Sequence, residues 1–270
     1  MTTTSLRSCG VGLVLLLGGC SSDSTGTKGP PGTLGSDSGA HPTSEKPPCL
    51  AKPSQVVALG DSYVAAPVVL IPKVAQLAVT DGALAQGDTY RDYSVPGTTV
   101  DTPVGAGTIP PQWTAAKQAD ADIKAVIMDG GGNDILASLT CIGAGADKDP
   151  MCTGIVDRVT GVISSLMMDM QSAGVADVIF FLYPNVPGGG KDILGYSVNT
   201  AQVLATAATT DSFRVHIVDP RSAFDGHPEY FGADPIHANP TGAQRLAELV
   251  WEEMKSTCVA QPASSGCCTP

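Results

Sequence analysis

Asp234, Pro235, Ile236 and His237, near the end of a 270-residue chain, supply the base and the orienting acid that a nucleophilic serine needs. Ser62, in the step Gly60-Asp61-Ser62, is the serine that would use them. A serine hydroxyl is a weak nucleophile at neutral pH until a neighbouring imidazole takes its proton. A carboxylate behind that imidazole fixes its tautomer and stabilises the imidazolium. The spacing therefore casts Ser62 as nucleophile, His237 as general base and Asp234, three residues earlier, as orienting acid. Histidine supply narrows the choice, because the chain has four. His41 lies in a Gly/Ser/Pro-rich tract, His216 sits inside a strand-like run at 213–218, and His227 has no matching upstream carboxylate pattern. His237 is left.

Strands must bring these residues together. Residues 56–59 read as a short apolar strand that ends at Gly60, with Ser62 just beyond its carboxyl end. Residues 125–128 form a second buried run, followed by Asp129-Gly130-Gly131-Gly132-Asn133-Asp134. The three glycines let the backbone approach a substrate closely, and Asn133 carries an amide donor for a developing oxyanion. Between these motifs, Gly97 offers a backbone N–H after a strand. Further strand-like runs at 89–94, 178–182 and 215–218 alternate with helical patterns. One helix is apolar at Ile155, Val159, Val162, Ile163, Leu166, Met167 and Met170. The last begins at Asn239-Pro240, a cap followed by proline in the first turn, and buries Ala243, Leu246, Ala247, Val250 and Met254. The expected fold is α/β, a three-layer α/β/α sandwich around a five-stranded parallel sheet, with Ser62, Gly97, Asn133, Asp234 and His237 at one edge. Asp61 and Asp134 are expected to hold turns, and Trp113 and Trp251 to pack.

Taken together, the motifs resemble the SGNH, or GDSL-type, hydrolase family. The matching blocks are GDS at 60–62, the glycine Gly97, GGND at 131–134 and DPIH at 234–237, in order over roughly residues 54–255. The resemblance implies a flavodoxin-like sandwich and a serine ester hydrolase. It also implies an oxyanion hole made by the N–H groups of Ser62 and Gly97 and the amide of Asn133. Tyr63 departs from the pattern, standing where the family name expects leucine, and is expected to bear on pocket shape more than on chemistry. The chain lacks the Gly-x-Ser-x-Gly elbow of α/β-hydrolases, since Tyr63 and Val64 follow Ser62.

The ends of the chain point outward from the cell. Arg7 precedes an apolar stretch at 11–17 that is too short to span a bilayer, and Leu17-Gly18-Gly19-Cys20 resembles a bacterial lipobox. Residues 1–19 are then a signal peptide, with an ordinary secretory signal as the other reading, and Cys20 is the lipid-bearing new N-terminus. Residues 21–48 hold hardly any large apolar side chain and read as a tether, whose root-mean-square span is on the order of 30 Å. Residues 49–270 make one domain. Six cysteines remain there: Cys49, Cys141, Cys152, Cys258, Cys267 and Cys268, an even set suited to disulfides in an oxidising compartment. Cys141 and Cys152 are the best local pair, because they close a Gly/Asp-rich loop soon after the GGND turn. Secreted members of the family resembled can carry such a loop, which would put residues 141–152 beside the site mouth.

A net charge of −11, with no basic patch, argues against nucleic acid and against anionic lipid headgroups as electrostatic partners. No metal or cofactor is expected, since neither CxxC nor HExxH occurs. The expected protein is a monomeric, exported ester hydrolase of lipase or esterase type, anchored at the cell envelope through Cys20 or secreted. A carbohydrate O-deacetylase and a non-catalytic, surface-tethered binding module are the alternatives. The aromatic content of 5% weighs against a sugar-stacking cleft.

Overall fold

Short apolar runs hidden on both faces build the centre of the sheet, as parallel strands covered by helices on each side require. The computed structural model describes residues 49–50, 52–138, 141, 150–187, 210, 212–234 and 236–268. The expected signal segment at 1–19, Cys20 and the tether up to residue 48 lie outside the described residues, as do residues 142–149 of the expected mouth loop. The strands are β1 (Val56–Leu59), β2 (Arg91–Asp92), β3 (Ala125–Met128), β4 (Asp177–Phe181) and β5 (Arg214–Val218). All pair in parallel, in the order β2-β1-β3-β4-β5. The chain moves outward from β1 to β2 and then crosses to β3 on the other side, so the end of β1 is the switch point where open α/β sheets place their sites.

Alternation along the strands divides the core in two. Val56, Ala58, Ile127, Ile179 and Phe181 face α1 (Leu70–Thr80) and the C-terminal α6 (Pro240–Ser256). Val57, Leu59, Val126, Met128, Val178 and Phe180 face α2 (Pro110–Ala119) and α4 (Pro150–Ser172). Each fully buried aliphatic side chain contributes roughly 1.5–3 kcal/mol, so these two faces account for the three-layer packing. Two shorter helices, α3 (Gly132–Leu136) and α5 (Arg221–Phe224), follow β3 and β5.

Two expected boundaries move. The strand expected at 89–94 has only Arg91 and Asp92 in the ladder: the N–H groups of Tyr93 and Val95 still donate to the Ala58 and Gly60 carbonyls, but the Gly60 N–H donates to Gln112 Oε1 at 2.7 Å and not back to this strand. The helix expected over 155–170 extends to Pro150–Ser172. The last helix is capped as its sequence requires, with Asn239 Oδ1 accepting from the N–H groups of Thr241 and Gly242 at 3.0 and 3.1 Å. Trp113 and Trp251 are buried, and their indole N–H groups donate to Asp169 and Asp81. The disulfides join Cys141 to Cys152, Cys258 to Cys267 and Cys49 to Cys268.

Candidate active site

Ser62 and His237 are 175 residues apart in sequence, and the fold brings Ser62 Oγ to 2.8 Å from His237 Nε2. His237 Nδ1 lies 3.0 Å from Asp234 Oδ2. The other oxygen of Asp234 accepts the backbone N–H groups of Ile236 and His237, at 3.1 and 2.7 Å. Those backbone donors, first that of His237, and then its imidazole hold the Asp234 carboxyl below the usual carboxylate range. Asp234 is therefore ionised at neutral pH and holds the Nδ1–H tautomer, which leaves Nε2 to accept the Ser62 proton. The fold thus brings Ser62, His237 and Asp234 within hydrogen-bond reach, each of the next.

A second set of groups lies behind the nucleophile. Gly60, with φ of 140°, lets the chain turn so tightly that an added Cβ would stand 1.9 Å from Asp129 Oδ1. That close approach lets the Asp61 N–H donate to Asp129 Oδ1 at 2.8 Å. Asp61 holds its turn as expected, accepting the Tyr63 N–H at 3.0 Å. Its Oδ2 also receives the Tyr183 hydroxyl at 2.7 Å and Asn133 Nδ2 at 3.2 Å. Both carboxyls are buried, and burial pushes both upward. Asp129 is pushed further, because it faces the Asp61 charge, whereas Asp61 collects donors. Asp129 is thus the carboxyl held further above the ordinary range.

Asn133 Nδ2 also donates to the Thr98 carbonyl at 2.9 Å, so the amide is tied on two sides. Asp134, the next residue on α3, accepts the N–H groups of Val100 and Asp101 at 2.7 and 2.9 Å and holds that loop, as expected. The glycines before them also allow close packing within the protein, and Gly132 lines the cavity beside Ser62. An added Cβ at Gly130 would strike Ile109 and Val100, and one at Gly132 would strike the Tyr183 ring. Part of the close approach they permit is to the protein's own side chains. Gly97 sits on an exposed turn with φ of 77°. Among the described residues, the N–H groups of Ser62 and Gly97 donate to no other group.

A cavity of about 260 Å³ opens beside the relay. Ser62, Asn133 and His237 line it, together with Tyr63, Leu136, Tyr183, Val186 and Ile236, while Gly97 is outside the lining. Two participants were missed in the sequence, and a third was singled out only for pocket shape. Tyr183 follows β4 and reaches Asp61; Asp129 closes β3 and receives Asp61; and Tyr63 does more than shape the pocket, since its hydroxyl donates to the Ile236 carbonyl. An acidic residue ending a buried strand, as Asp129 does, is the one sequence signal that marks this network.

Residues 58–245 match the model of the GDSL-like lipase/acylhydrolase family. No curated relative matches the chain. Among solved structures, the chain is similar to a lipase from a goat rumen metagenome, at 16% identity and a TM-score of 0.55 over 74% of this chain and 97% of that one. It is also similar to a catalytic mutant of an acetylxylan esterase from Geobacillus stearothermophilus, at 16% identity and a TM-score of 0.53, covering 74% and 93%. These structures share the fold, and the motif match extends over most of the domain. The chain belongs to the GDSL-like lipase/acylhydrolase family.

Proposed function

We propose that the protein is an exported carboxylic ester hydrolase that works through an acyl-enzyme on Ser62. The observation that carries this reading is the relay from Ser62 Oγ through His237 to Asp234, with spacings of 2.8 and 3.0 Å, opening on an apolar cavity. Ser62 Oγ attacks the ester carbonyl as His237 Nε2 takes its proton, and the imidazolium returns that proton to the departing alkoxide. Water, deprotonated by the same imidazole, then releases the acid. The Ser62 N–H, the Gly97 N–H and the Asn133 amide receive the oxyanion in both steps. An oxyanion that accepts from Asn133 Nδ2 takes the place of one of its two ties, to the Thr98 carbonyl or to Asp61.

Cavity chemistry favours an acyl group without polar substituents. Both tyrosine hydroxyls at the cavity are engaged within the protein, so rings and the aliphatic side chains of Leu136, Val186 and Ile236 form the contact surface. At about 260 Å³ the space falls just below the roughly 300–1,000 Å³ of drug-sized ligand sites and suits a short acyl chain. A carbohydrate O-deacetylase is the second reading, favoured by the likeness to a structure named as an acetylxylan esterase. Export with a lipid on Cys20, a tether up to residue 48 and one monomeric hydrolase domain from residue 49 complete the proposal.

Hydrolysis of p-nitrophenyl acetate, butyrate and palmitate, with Ser62→Ala as control, tests it. Ser62-dependent turnover that is fastest on butyrate supports the esterase, and turnover confined to acetate supports the deacetylase. Absence of Ser62-dependent turnover by folded protein would overturn both. Failure of Cys20→Ala to abolish labelling by radioactive palmitate in cells would remove the lipid anchor.

A further inference from the structure

Two neighbouring residues on each side join the nucleophile turn to the base loop. Ser62 Oγ meets His237 Nε2, and the next residue, Tyr63, donates its hydroxyl to the carbonyl of the residue before His237, Ile236. Among the described residues, the base loop makes few other hydrogen bonds outside itself. Its Asp234 side chain is 56% exposed, and Gly232 and Ala233 are exposed too. The remaining bonds are local: Gly232 N–H to the His237 carbonyl, Asp234 to the N–H groups of Ile236 and His237, and Asn239 Nδ2 to the Phe231 carbonyl.

Tyr63, in contrast, is fixed. It is 3% exposed, its N–H donates to Asp61, and its ring meets Tyr183 edge-on with centroids 5.2 Å apart. The same ring lies 6.0 Å from the His237 imidazole at a tilt of 35° and limits its swing. Burial and the nearby Asp61 carboxylate raise the pKa of the hydroxyl, so it remains a donor throughout the working pH range.

We propose that Tyr63, the residue that departs from the GDSL pattern, is a positioning residue that holds the base loop in register with the nucleophile through its hydroxyl bond to the Ile236 carbonyl. Its kinetic consequence rests on the ester-hydrolase reading, whereas its structural consequence does not. A leucine at this position would fill the space without reaching the loop. Tyr63→Phe keeps the ring and removes only the tie.

Two measurements on the purified full chain test the proposal. In the first, Tyr63→Phe lowers kcat roughly 10- to 100-fold with KM and the melting temperature little changed, since a displacement of about 1 Å costs that much. In a His237→Ala background the same change has no further effect; an undiminished loss there would overturn the role, because Tyr63 would then act on substrate or fold. The second is the imidazole Nδ1–H resonance of His237 in ¹⁵N-labelled protein, which should broaden by exchange in Tyr63→Phe. An unchanged resonance overturns the clamp whatever the protein hydrolyses. A broadened resonance in a protein without Ser62-dependent turnover supports the clamp while the ester-hydrolase reading falls.

Discussion

Ser62 stands on a turn backed by two buried carboxyls, whereas His237 stands on a loop whose carboxylate, Asp234, is more than half exposed. The nucleophile side is built by long-range contacts among Gly60, Asp61, Asp129, Asn133 and Tyr183. The base side is built largely from neighbours in sequence. On the ester-hydrolase reading proposed above, the difference follows from the work of each side. Oxyanion donors must be aimed before charge develops, which calls for a rigid, solvent-excluded setting. An imidazole that exchanges protons with serine, leaving group and water works close to solvent. One consequence is that the two sides tolerate change differently.

The sharpest way to break this comparison is to add the same methyl group to each side. Gly60→Ala places Cβ 1.9 Å from Asp129 Oδ1 at a backbone angle that only glycine adopts easily, and should cost more than about 4 kcal/mol in urea unfolding. Gly232→Ala on the base loop meets nothing nearer than 3.6 Å and should stay within about 1 kcal/mol. Equal losses would dissolve the distinction.

Activity gives the next contrast. Asn133→Ala removes the proposed side-chain donor to the oxyanion and should lower kcat about 100- to 1,000-fold. Asp234→Ala removes a carboxylate that water already screens, and the loss should be the smaller of the two, about 10- to 100-fold. Steady-state kinetics on one ester decides the order, and a reversed order would mean that the exposed carboxylate dominates.

Stability against pH provides the finest test, because the two kinds of carboxyl act with opposite sign. Asp234 has a lowered pKa, so its contribution is present above the usual carboxylate range and fades as pH falls through it. Asp129 has a raised pKa, from burial and then from the Asp61 charge, so its contribution is full at low pH and is lost as pH rises toward its elevated value. Asp129→Asn keeps the shape without the titration. It should flatten the decline in melting temperature between acidic and neutral pH while kcat at neutral pH changes only a few-fold. A decline that persists in the variant would assign it to a group other than Asp129.

The fold was legible because its central strands are unbroken apolar runs, and the relay was legible because serine chemistry needs a base that only His237 could supply. Cys141–Cys152 was legible as a local loop closure; the other two disulfides were left open, since the cysteine spacing permits several pairings. The support network was not legible, for a physical reason. Asp61 meets Asp129 across 68 residues and Tyr183 across 122, and Tyr63 meets Ile236 across 173. No spacing rule connects such pairs, because each depends on sheet order and on how tightly a glycine lets the chain turn. Strand β2 was overestimated for a related reason: the Gly60 N–H that would extend its ladder donates to Gln112, 52 residues away.

Cys49 and Cys268, 219 residues apart, have Cα atoms 5.0 Å from one another. In topological terms the domain is a closed loop of chain, with its two ends spliced by sulfur. A single cut in an exposed turn, such as that around Gly82 and Gly87, opens this ring without releasing a fragment. A short peptide linker could replace the sulfur splice, with new ends opened at that turn, and every strand would keep its neighbours. The order in which the strands are synthesised can therefore be permuted without altering the order in which they pair.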